Sequence, residues 1–368
     1  MPVMSRRTLG RTLISAGAAL AAVGAAGYGL WPRIDAYRSE AARQRRLIAG
    51  EPSVAELVRM ATLAASGHNA QPWRFHTGGG RVSILPDFSR RTPVVDPDDH
   101  HLFVSLGCAA ENLSVAAAAL GRGGAVGIGG GAAPGIEIAL SAAPPGRRDL
   151  YRAIPERQST RSLFDGRPVS PAELALLEAA AREDGVSVLL HTSAADRDAI
   201  LEFVIAGNGA QIDDPAFVRE LRDWIRFSPA RALETGDGLF AACSGAPVFP
   251  EWLGRRMFSL AFTKGAENDK LRAQVRTSAG IAVFVADKAD PAQWIRVGRS
   301  FQRFALQATA LGVRTAHLNQ AVEVPAVRDG LARWLGAPGA RPDLVIRFGS
   351  APLAPMSLRR AAPVGAPV

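Results

Sequence analysis

The chain has 368 residues, of which 48% are hydrophobic and 21% are charged. This length can hold one large domain or two smaller ones, and the composition excludes a disordered protein. The formal net charge of +9 comes from 43 basic residues, all but three of them arginines, scattered among 34 acidic ones. Because no basic stripe with interleaved aromatic residues is present, we predict that nucleic acid is not a partner.

The cysteines and histidines give no sign of a metal site. Cys108 and Cys243 are the only cysteines, and they are too far apart in sequence to form a disulfide framework or a zinc motif. The six histidines lack a recognised ligand spacing, and the adjacent His100 and His101 are expected to point in different directions. The sequence therefore predicts no bound metal.

Residues 1–32 form a candidate export signal. Arg6 and Arg7 stand ahead of a stretch, residues 12–32, that carries no charged side chain. A basic segment before an apolar Ala/Gly-rich run is typical of bacterial export signals, and the paired arginines resemble a twin-arginine signal. We predict export by the twin-arginine machinery to the periplasm or cell envelope. The uncharged run, about 20 residues, just spans a bilayer, so it is either cleaved or kept as a membrane anchor.

A charged spacer, residues 33–51, leads to the first half of the folded region, residues 52–150. Apolar residues recur with a helical period over 53–66, where Ser53 is a suitable N-cap. The stretches WRFHT and RVSIL follow, joined by three glycines. Two such runs around a glycine turn predict a β-hairpin.

The second half, residues 151–355, repeats this order before a tail, residues 356–368. A helix is predicted over 170–185, and it leads into the strand VSVLLHT. The tripeptide Ala-Glu-Leu that starts at Ala55 recurs at Ala172, 117 positions later. Chance similarity of two Ala-rich helices is the alternative explanation, but the shared order of helix and strand favours a repeat.

A second correspondence has a larger offset. Gly107 and Gly121 bracket a long apolar helix, and Gly298 and Gly312 bracket another, 191 positions later. The difference between the offsets (191 − 117 = 74) predicts an insertion in the second half, at about residues 194–270. This insertion reads as helices followed by a loop-rich tail.

The remaining elements alternate between strands and helices. Strands are predicted at 125–128, 136–140, 280–286, 314–318 and 343–348, and helices at 290–312 and 324–336. The order predicts an α+β or mixed α/β fold, with two related halves packed into one unit.

Two short motifs resemble those of the nitroreductase family, whose members bind FMN and are usually homodimers. The turn SGHNAQPW, residues 66–73, resembles the family's Ser-x-x-Asn-x-Gln-Pro-Trp turn. The segment RQSTR, residues 157–161, resembles its phosphate-binding Arg-x-Ser-x-Arg arm. The C-terminal stretches HLNQ and DLVIRFG also fit, so the resemblance covers about 300 residues.

The resemblance implies an FMN site with no assigned catalytic side chain. Its candidate binding residues are Ser66, His68, Asn69, Gln71, Arg157, Ser159, Arg161, Asn319 and Arg347. Arginine forks and a hydroxyl can hold the phosphate by charge-assisted hydrogen bonds, and Asn and Gln amides can read the pyrimidine edge of the flavin. The alternative is a structural role, in which Arg157 and Arg161 form surface ion pairs with Glu156 and Asp165.

The two motifs lie in different halves of the chain. In family members one subunit supplies the phosphate arm and the other supplies the turn. The fused chain is therefore expected to keep one complete FMN site and to lose the second, as a monomer or pseudo-dimer. Fusion, a lid-like insertion and a twin-arginine leader are together similar to the Acg-like branch of the family.

The implied activity is NAD(P)H-dependent reduction of nitroaromatics, quinones or similar small-molecule acceptors, in which the cofactor carries the chemistry. One alternative is a protein that sequesters FMN with little turnover, because a closed lid would exclude the nicotinamide. A third possibility for the function is a membrane-tethered structural protein with a degenerate pocket.

Overall fold

The structure is a computed structural model that describes residues 33–362 and 364–365. The predicted export signal, residues 1–32, lies outside the described residues.

Thirteen α-helices lie in the described part of the chain. They are α1 (residues 33–44), α2 (Val54–Thr62), α3 (His100–Ala119), α4 (Arg148–Ala153), α5 (Pro171–Ala181), α6 (Ala194–Asp213), α7 (Pro215–Trp224), α8 (Pro229–Thr235), α9 (Glu251–Ala261), α10 (Lys264–Arg276), α11 (Pro291–Ala310), α12 (Gln320–Glu323) and α13 (Pro325–Trp334).

The thirteen strands of the same part of the chain form two main sheets and two small sheets of two strands each. They are β1 (Trp73–Gly78), β2 (Arg81–Pro86), β3 (Arg122–Gly123), β4 (Val126–Ile128), β5 (Ile136–Ala139), β6 (Ser141–Ala142), β7 (Val186–His191), β8 (Ile225–Arg226), β9 (Leu239–Phe240), β10 (Gly280–Ala286), β11 (Arg314–His317), β12 (Arg341–Gly349) and β13 (Val364–Gly365). The first sheet has the order β13-β1-β2-β5-β4 and the second the order β11-β12-β10-β7.

The two sheets repeat one pattern. In the first, α2 leads into β1, which pairs with β2 as the predicted hairpin. In the second, α5 leads into β7, which pairs antiparallel with β10. Helices α6 to α10 lie between β7 and β10, where a helical insertion was predicted. The α+β prediction, with two related halves and an inserted helical segment, is confirmed.

The halves meet along α3 and α11, and the contact between these helices is reciprocal. A Cβ on Gly107 would lie 1.9 Å from the carbonyl oxygen of Ile295, and a Cβ on Gly298 would lie 2.0 Å from that of Val104. Val104 and Ile295 are 191 positions apart, as the two glycines are. A repeated contact of this kind is what a pseudo-twofold axis between two related halves produces. Only glycine allows the backbones to approach so closely.

Helix α3 forms the centre of the core. Among the described residues it is the one helix that is long and apolar enough to cross a membrane. However, 89% of its most apolar window is buried inside the molecule. Helix α3 is therefore the core helix of a globular fold.

Three segments differ from what their sequence suggests. The loop-rich tail of the insertion ends in a regular helix, α9. The charged spacer is helical at residues 33–44, and Tyr37 of that helix is buried against the insertion. The tail is packed as well, because Leu358 and Arg359 are buried and β13 pairs with β1. Helical amphipathicity, rather than charge content, decides the structure of such segments.

Candidate cofactor-binding cavity

A cavity of about 590 Å³ lies between the two halves and the insertion. This volume is within the roughly 300–1,000 Å³ range of small-molecule and cofactor sites. One wall comes from the 66–73 turn and the start of α3, and another from β11, α12 and β12. The insertion supplies a mainly apolar wall that includes Phe217, Leu221, Phe227, Phe249, Met257 and Phe258.

The 66–73 turn is held in an unusual backbone conformation. His68, Asn69 and Gln71 have φ angles of 48°, 55° and 57°. Non-glycine residues adopt this left-handed region at a cost in free energy, and such strain clusters at functional sites. The Ser66 hydroxyl accepts a hydrogen bond from the Gln71 N–H at 3.2 Å, which fixes the turn. Ser66 and His68 line the cavity as a result.

The other two polar residues of the turn have a different role from the one predicted. The Asn69 amide donates to the carbonyl oxygens of Gly238 at 3.0 Å and Leu358 at 3.2 Å. The Gln71 amide donates to the carbonyl oxygen of Gly236 at 2.9 Å. Neither side chain lines the cavity. Because these amides are bonded to backbone, they join the turn to the insertion and to the tail rather than read a flavin edge.

The predicted phosphate arm divides between cavity wall and interior. Arg161 lines the cavity. Arg157 is buried, and its Nη2 donates to the Leu63 carbonyl oxygen at 2.8 Å while its Nε has no partner. The Ser159 hydroxyl lies 3.4 Å from Nδ1 of His317, which lines the cavity. Of the three, only Arg161 can meet a ligand in the cavity directly.

Neither arginine of the arm forms the surface ion pair that was the alternative explanation. Asp165 pairs with Arg167 instead, at 2.7 Å. Burial lowers the pKa of Arg161, and no carboxylate of the described chain neutralises its charge. An unpaired guanidinium at the wall of a cavity is a binding site for an anionic group.

Asn319 and Arg347, the two candidate residues nearest the C-terminus, both line the cavity. The buried Arg347 donates from Nη2 to the carbonyl oxygens of Thr160 at 3.0 Å and Ser162 at 2.8 Å, and so holds the backbone on both sides of Arg161. Its Nε and Nη1 are buried without a partner. Burial, and then the charge of Arg161, lowers the pKa of Arg347 to about 9. Asn319 accepts the Val345 N–H at 3.1 Å.

The charge of Arg161 acts on two walls of the cavity. Burial, and then Arg161 among other charges, lowers the pKa of His317 to about 3. Burial also lowers the pKa of His68 to about 4, where Arg161 contributes and Glu323 opposes. Both imidazoles are therefore neutral at physiological pH, and Arg161 remains the positive charge between them.

An ion pair on the cavity wall was not foreseen. His101 Nε2 lies 3.3 Å from Glu323 Oε1, and Gln211 of the insertion donates to Glu323 Oε2 at 2.6 Å. His101 lies at the beginning of α3, and Glu323 lies in the short helix α12. The two residues are too far apart in sequence for any motif to connect them. Among the signals available, only the HLNQ stretch just before α12 marked this region.

Burial alone would lower the pKa of His101, but the hydrogen bond to Glu323 and the charge of Asp96 raise it above its ordinary value of 6.5. Because its pKa is raised in the folded state, protonated His101 stabilises the fold. This stabilisation is complete below pH 6.5 and is lost as the pH rises through the raised pKa. We expect the melting temperature of the wild type to fall on that alkaline side more steeply than that of His101→Gln. Thermal unfolding followed across pH measures this, and parallel curves would contradict it.

One cluster of potential metal ligands is explained by hydrogen bonds within the protein. Ligand atoms of Asp96, His100 and His101 lie within 4.8 Å of one another, so the adjacent histidines do not diverge as expected. The Asp96 carboxylate accepts the backbone N–H groups of His101 at 2.9 Å and Leu102 at 3.0 Å. His100 Nε2 bonds Asp343 at 2.8 Å. We assign these hydrogen bonds to the stabilisation of the start of α3.

A smaller cavity of about 270 Å³ lies across the pseudo-twofold axis and is lined by Glu111, Arg299 and Arg303. Arg299 is 191 positions after Cys108, which lines the large cavity. Glu111 Oε2 lies 2.8 Å from Arg303 and 3.2 Å from Arg299, and Glu183 pairs with both arginines. A buried ion-pair network therefore occupies the position that is related to the large cavity by the repeat.

The fold and its cavity define an α+β protein that can hold an anionic cofactor between two halves. No family model matches the chain. Over 315 residues, it is 27% identical to a Mycobacterium tuberculosis H37Rv protein named "Putative NAD(P)H nitroreductase Rv3131", with 82% of this chain and 86% of that protein covered. It is 24% identical over 314 residues to "Uncharacterized protein Rv3127" of the same strain, with 80% and 86% covered.

Solved structures with a similar arrangement correspond to about half of the chain. The FMN-dependent nitroreductase NfnB from Mycobacterium smegmatis, in complex with NADPH, gives a TM-score of 0.37 at 17% identity. It covers 55% of this chain and 88% of that chain.

Proposed function

We propose that the chain is an FMN-binding oxidoreductase of the nitroreductase type, which uses NAD(P)H to reduce small-molecule acceptors such as nitroaromatics and quinones. The observation that carries this proposal is the unpaired Arg161 guanidinium in a large cavity, facing the strained turn of Ser66 and His68. The relative that is 27% identical and carries the nitroreductase name supports the same activity.

The residues present fit FMN at its phosphate end. Arg161 is free to donate, and the buried Nε and Nη1 of Arg347 lack partners, so the site has unused donors and positive charge. A phosphate group would satisfy such donors by charge-assisted bonds. Arg157 and Ser159 stabilise the wall at this end. Arg157 donates to the Leu63 carbonyl oxygen, and the Ser159 hydroxyl contacts His317.

The apolar wall fits the flavin ring and a flat acceptor. Phe227, Phe249 and Phe258 of the insertion line the cavity and give it an apolar face. FMN bound here would supply two-electron transfer between NAD(P)H and the acceptor. The chain's own residues would then have two tasks, which are to bind the phosphate and to offer the ring an apolar surface. A catalytic acid or nucleophile is not required.

The second candidate function is FMN storage with little turnover. It is favoured by the insertion, which forms one whole wall of the cavity and contacts Glu323 through Gln211. An insertion that stays closed would keep NAD(P)H from the flavin.

One experiment separates these functions. The purified chain, loaded with FMN, is mixed anaerobically with NADH or NADPH while the flavin visible absorption is recorded. We expect rapid bleaching and recovery of the colour when a quinone is added. Persistent colour would mean that the protein stores FMN. Failure to retain any flavin after loading would overturn FMN binding itself.

We further propose that the chain belongs to the Acg-like branch and is exported by the twin-arginine machinery. Fused halves, a lid-like insertion and the Arg6-Arg7 leader support this proposal. Replacing Arg6 and Arg7 together by lysine should retain the protein in the cytoplasm, as cell fractionation would show. Unchanged export of that variant would remove the twin-arginine route.

A further inference from the structure

The outer face of α9 exposes large apolar side chains to solvent. Leu260 is 75% exposed and Trp252 is 63% exposed, the two highest values among the exposed large hydrophobic residues of the described chain. Positions 252, 256 and 260 are four residues apart, so Trp252, Arg256 and Leu260 form one stripe along the helix. The guanidinium of Arg256 lies 5.9 Å from the Trp252 ring.

The inner face of α9 belongs to the cavity. Gly254, Met257 and Phe258 line it, and Gly254 packs so closely on Phe227 that an added Cβ would lie 2.3 Å from that side chain. Helix α9 is therefore held firmly by its inner face, and the apolar outer stripe is left without a partner in the described chain.

The N-terminal part of the chain leads towards the same insertion. The ring of Tyr37 in α1 packs against that of Phe240 with their centroids 4.4 Å apart, and the Tyr37 hydroxyl lies 3.6 Å from the Cys243 sulfur. A short loop connects that segment to α9. The uncharged stretch of residues 12–32 comes immediately before α1 in the sequence. A segment long enough to span a bilayer thus joins the fold next to the insertion that carries the exposed stripe.

We propose that α9 is an interfacial helix, which lies on an anionic lipid bilayer with Trp252 and Leu260 among the acyl chains and Arg256 at the headgroups. Trp is favoured at membrane interfaces, and an amphipathic helix binds there through its buried apolar area and its basic charge. The net charge of +9 attracts the whole chain to anionic lipid.

A second copy of the chain is a poorer partner for this stripe. In a twofold self-contact the same patch faces itself, so two copies of Arg256 would approach each other at its centre. No carboxylate of the described chain pairs with Arg256, which leaves that repulsion uncompensated. Lipid phosphate supplies the opposite charge directly.

The test uses the full chain with a polarity-sensitive fluorophore on Leu260→Cys. Cys108 and Cys243 are buried, so a thiol reagent labels the introduced cysteine selectively. The matched control carries the label at Leu176→Cys on α5, a residue that is 49% exposed. Vesicles of phosphatidylcholine and phosphatidylglycerol are then added. We expect a blue shift of the label at position 260 and none at position 176, and Trp252→Ser should raise several-fold the lipid concentration needed for the shift.

Other outcomes would overturn the proposal. The protein can sediment with vesicles through residues 12–32 while the label at position 260 keeps its emission, in which case α9 does not touch lipid. Emission that is already blue-shifted without vesicles, and that depends on protein concentration, would mean a second copy. The same emission without concentration dependence would mean that the chain covers its own stripe. None of these readouts depends on bound flavin.

Discussion

Glu111→Gln is expected to lower the free energy of unfolding by about 3 kcal/mol, the lower end of the range for breaking a buried ion pair. The side chains of Glu111 and Arg303 are only 4% and 8% exposed. Without the carboxylate, Arg299 and Arg303 keep their charges in a poorly solvated site. Glu183 still pairs with both arginines, and for this reason we do not expect the upper end of the range.

The matched control for this prediction is Glu51→Gln. Glu51 pairs with Arg122 at 3.4 Å, but its side chain is 87% exposed. An exposed pair contributes about 0–1 kcal/mol, so this variant should unfold almost as the wild type does. Urea unfolding of both variants gives the comparison. Equal small effects would show that water reaches the Glu111 network.

The ion-pair network is also informative about function. Glu183 is the counterpart of Ser66 at the offset of 117 positions, and Arg299 is the counterpart of Cys108 at the offset of 191. Ser66 and Cys108 both line the large cavity. The second half thus places charged, mutually paired side chains where the first half leaves open space. We infer that the chain keeps one binding site of a symmetric pair, and that a structural ion-pair network has narrowed the other to a cavity of about 270 Å³.

The sequence predicts most of the fold because its long elements have strong periodicity. The strand at 280–286 matches its prediction, and the helix predicted at 290–312 is observed at Pro291–Ala310. Short elements such as α4 and α12 are not predicted, since a helix of four to six residues has no full period to detect. Helix α9 was assigned to a loop because Gly and Pro precede it closely in the sequence.

The site is predicted less completely than the fold. Ser66, His68 and Arg161 line the cavity, together with Asn319 and Arg347. Asn69 and Gln71 do not, because their amides are used by backbone groups of distant segments that no motif reveals. The larger omission is the wall formed by the insertion. Its aromatic residues resemble any apolar helix face until the fold brings them to the cavity.

Arg161→Gln is expected to weaken FMN binding by at least about a hundredfold, since charge-assisted hydrogen bonds to phosphate are worth roughly 1.5–3 kcal/mol each and a guanidinium can make two. The neutral amide of glutamine keeps the size of the side chain approximately but removes the charge and the fork. The guanidinium of Arg161 forms no ion pair within the described chain, so its loss should cost little stability. Fluorescence titration gives the dissociation constant.

Riboflavin, which lacks the phosphate, makes this prediction specific. If Arg161 meets the phosphate, the substitution should weaken FMN binding and leave riboflavin binding nearly unchanged. Arg167→Gln is the control, because Arg167 is 75% exposed and pairs only with Asp165. An equal loss for both flavins would place Arg161 at the ring, where it would stabilise negative charge on the reduced flavin. No loss for either flavin would show that Arg161 takes no part in holding the cofactor, and would contradict its assignment to the phosphate.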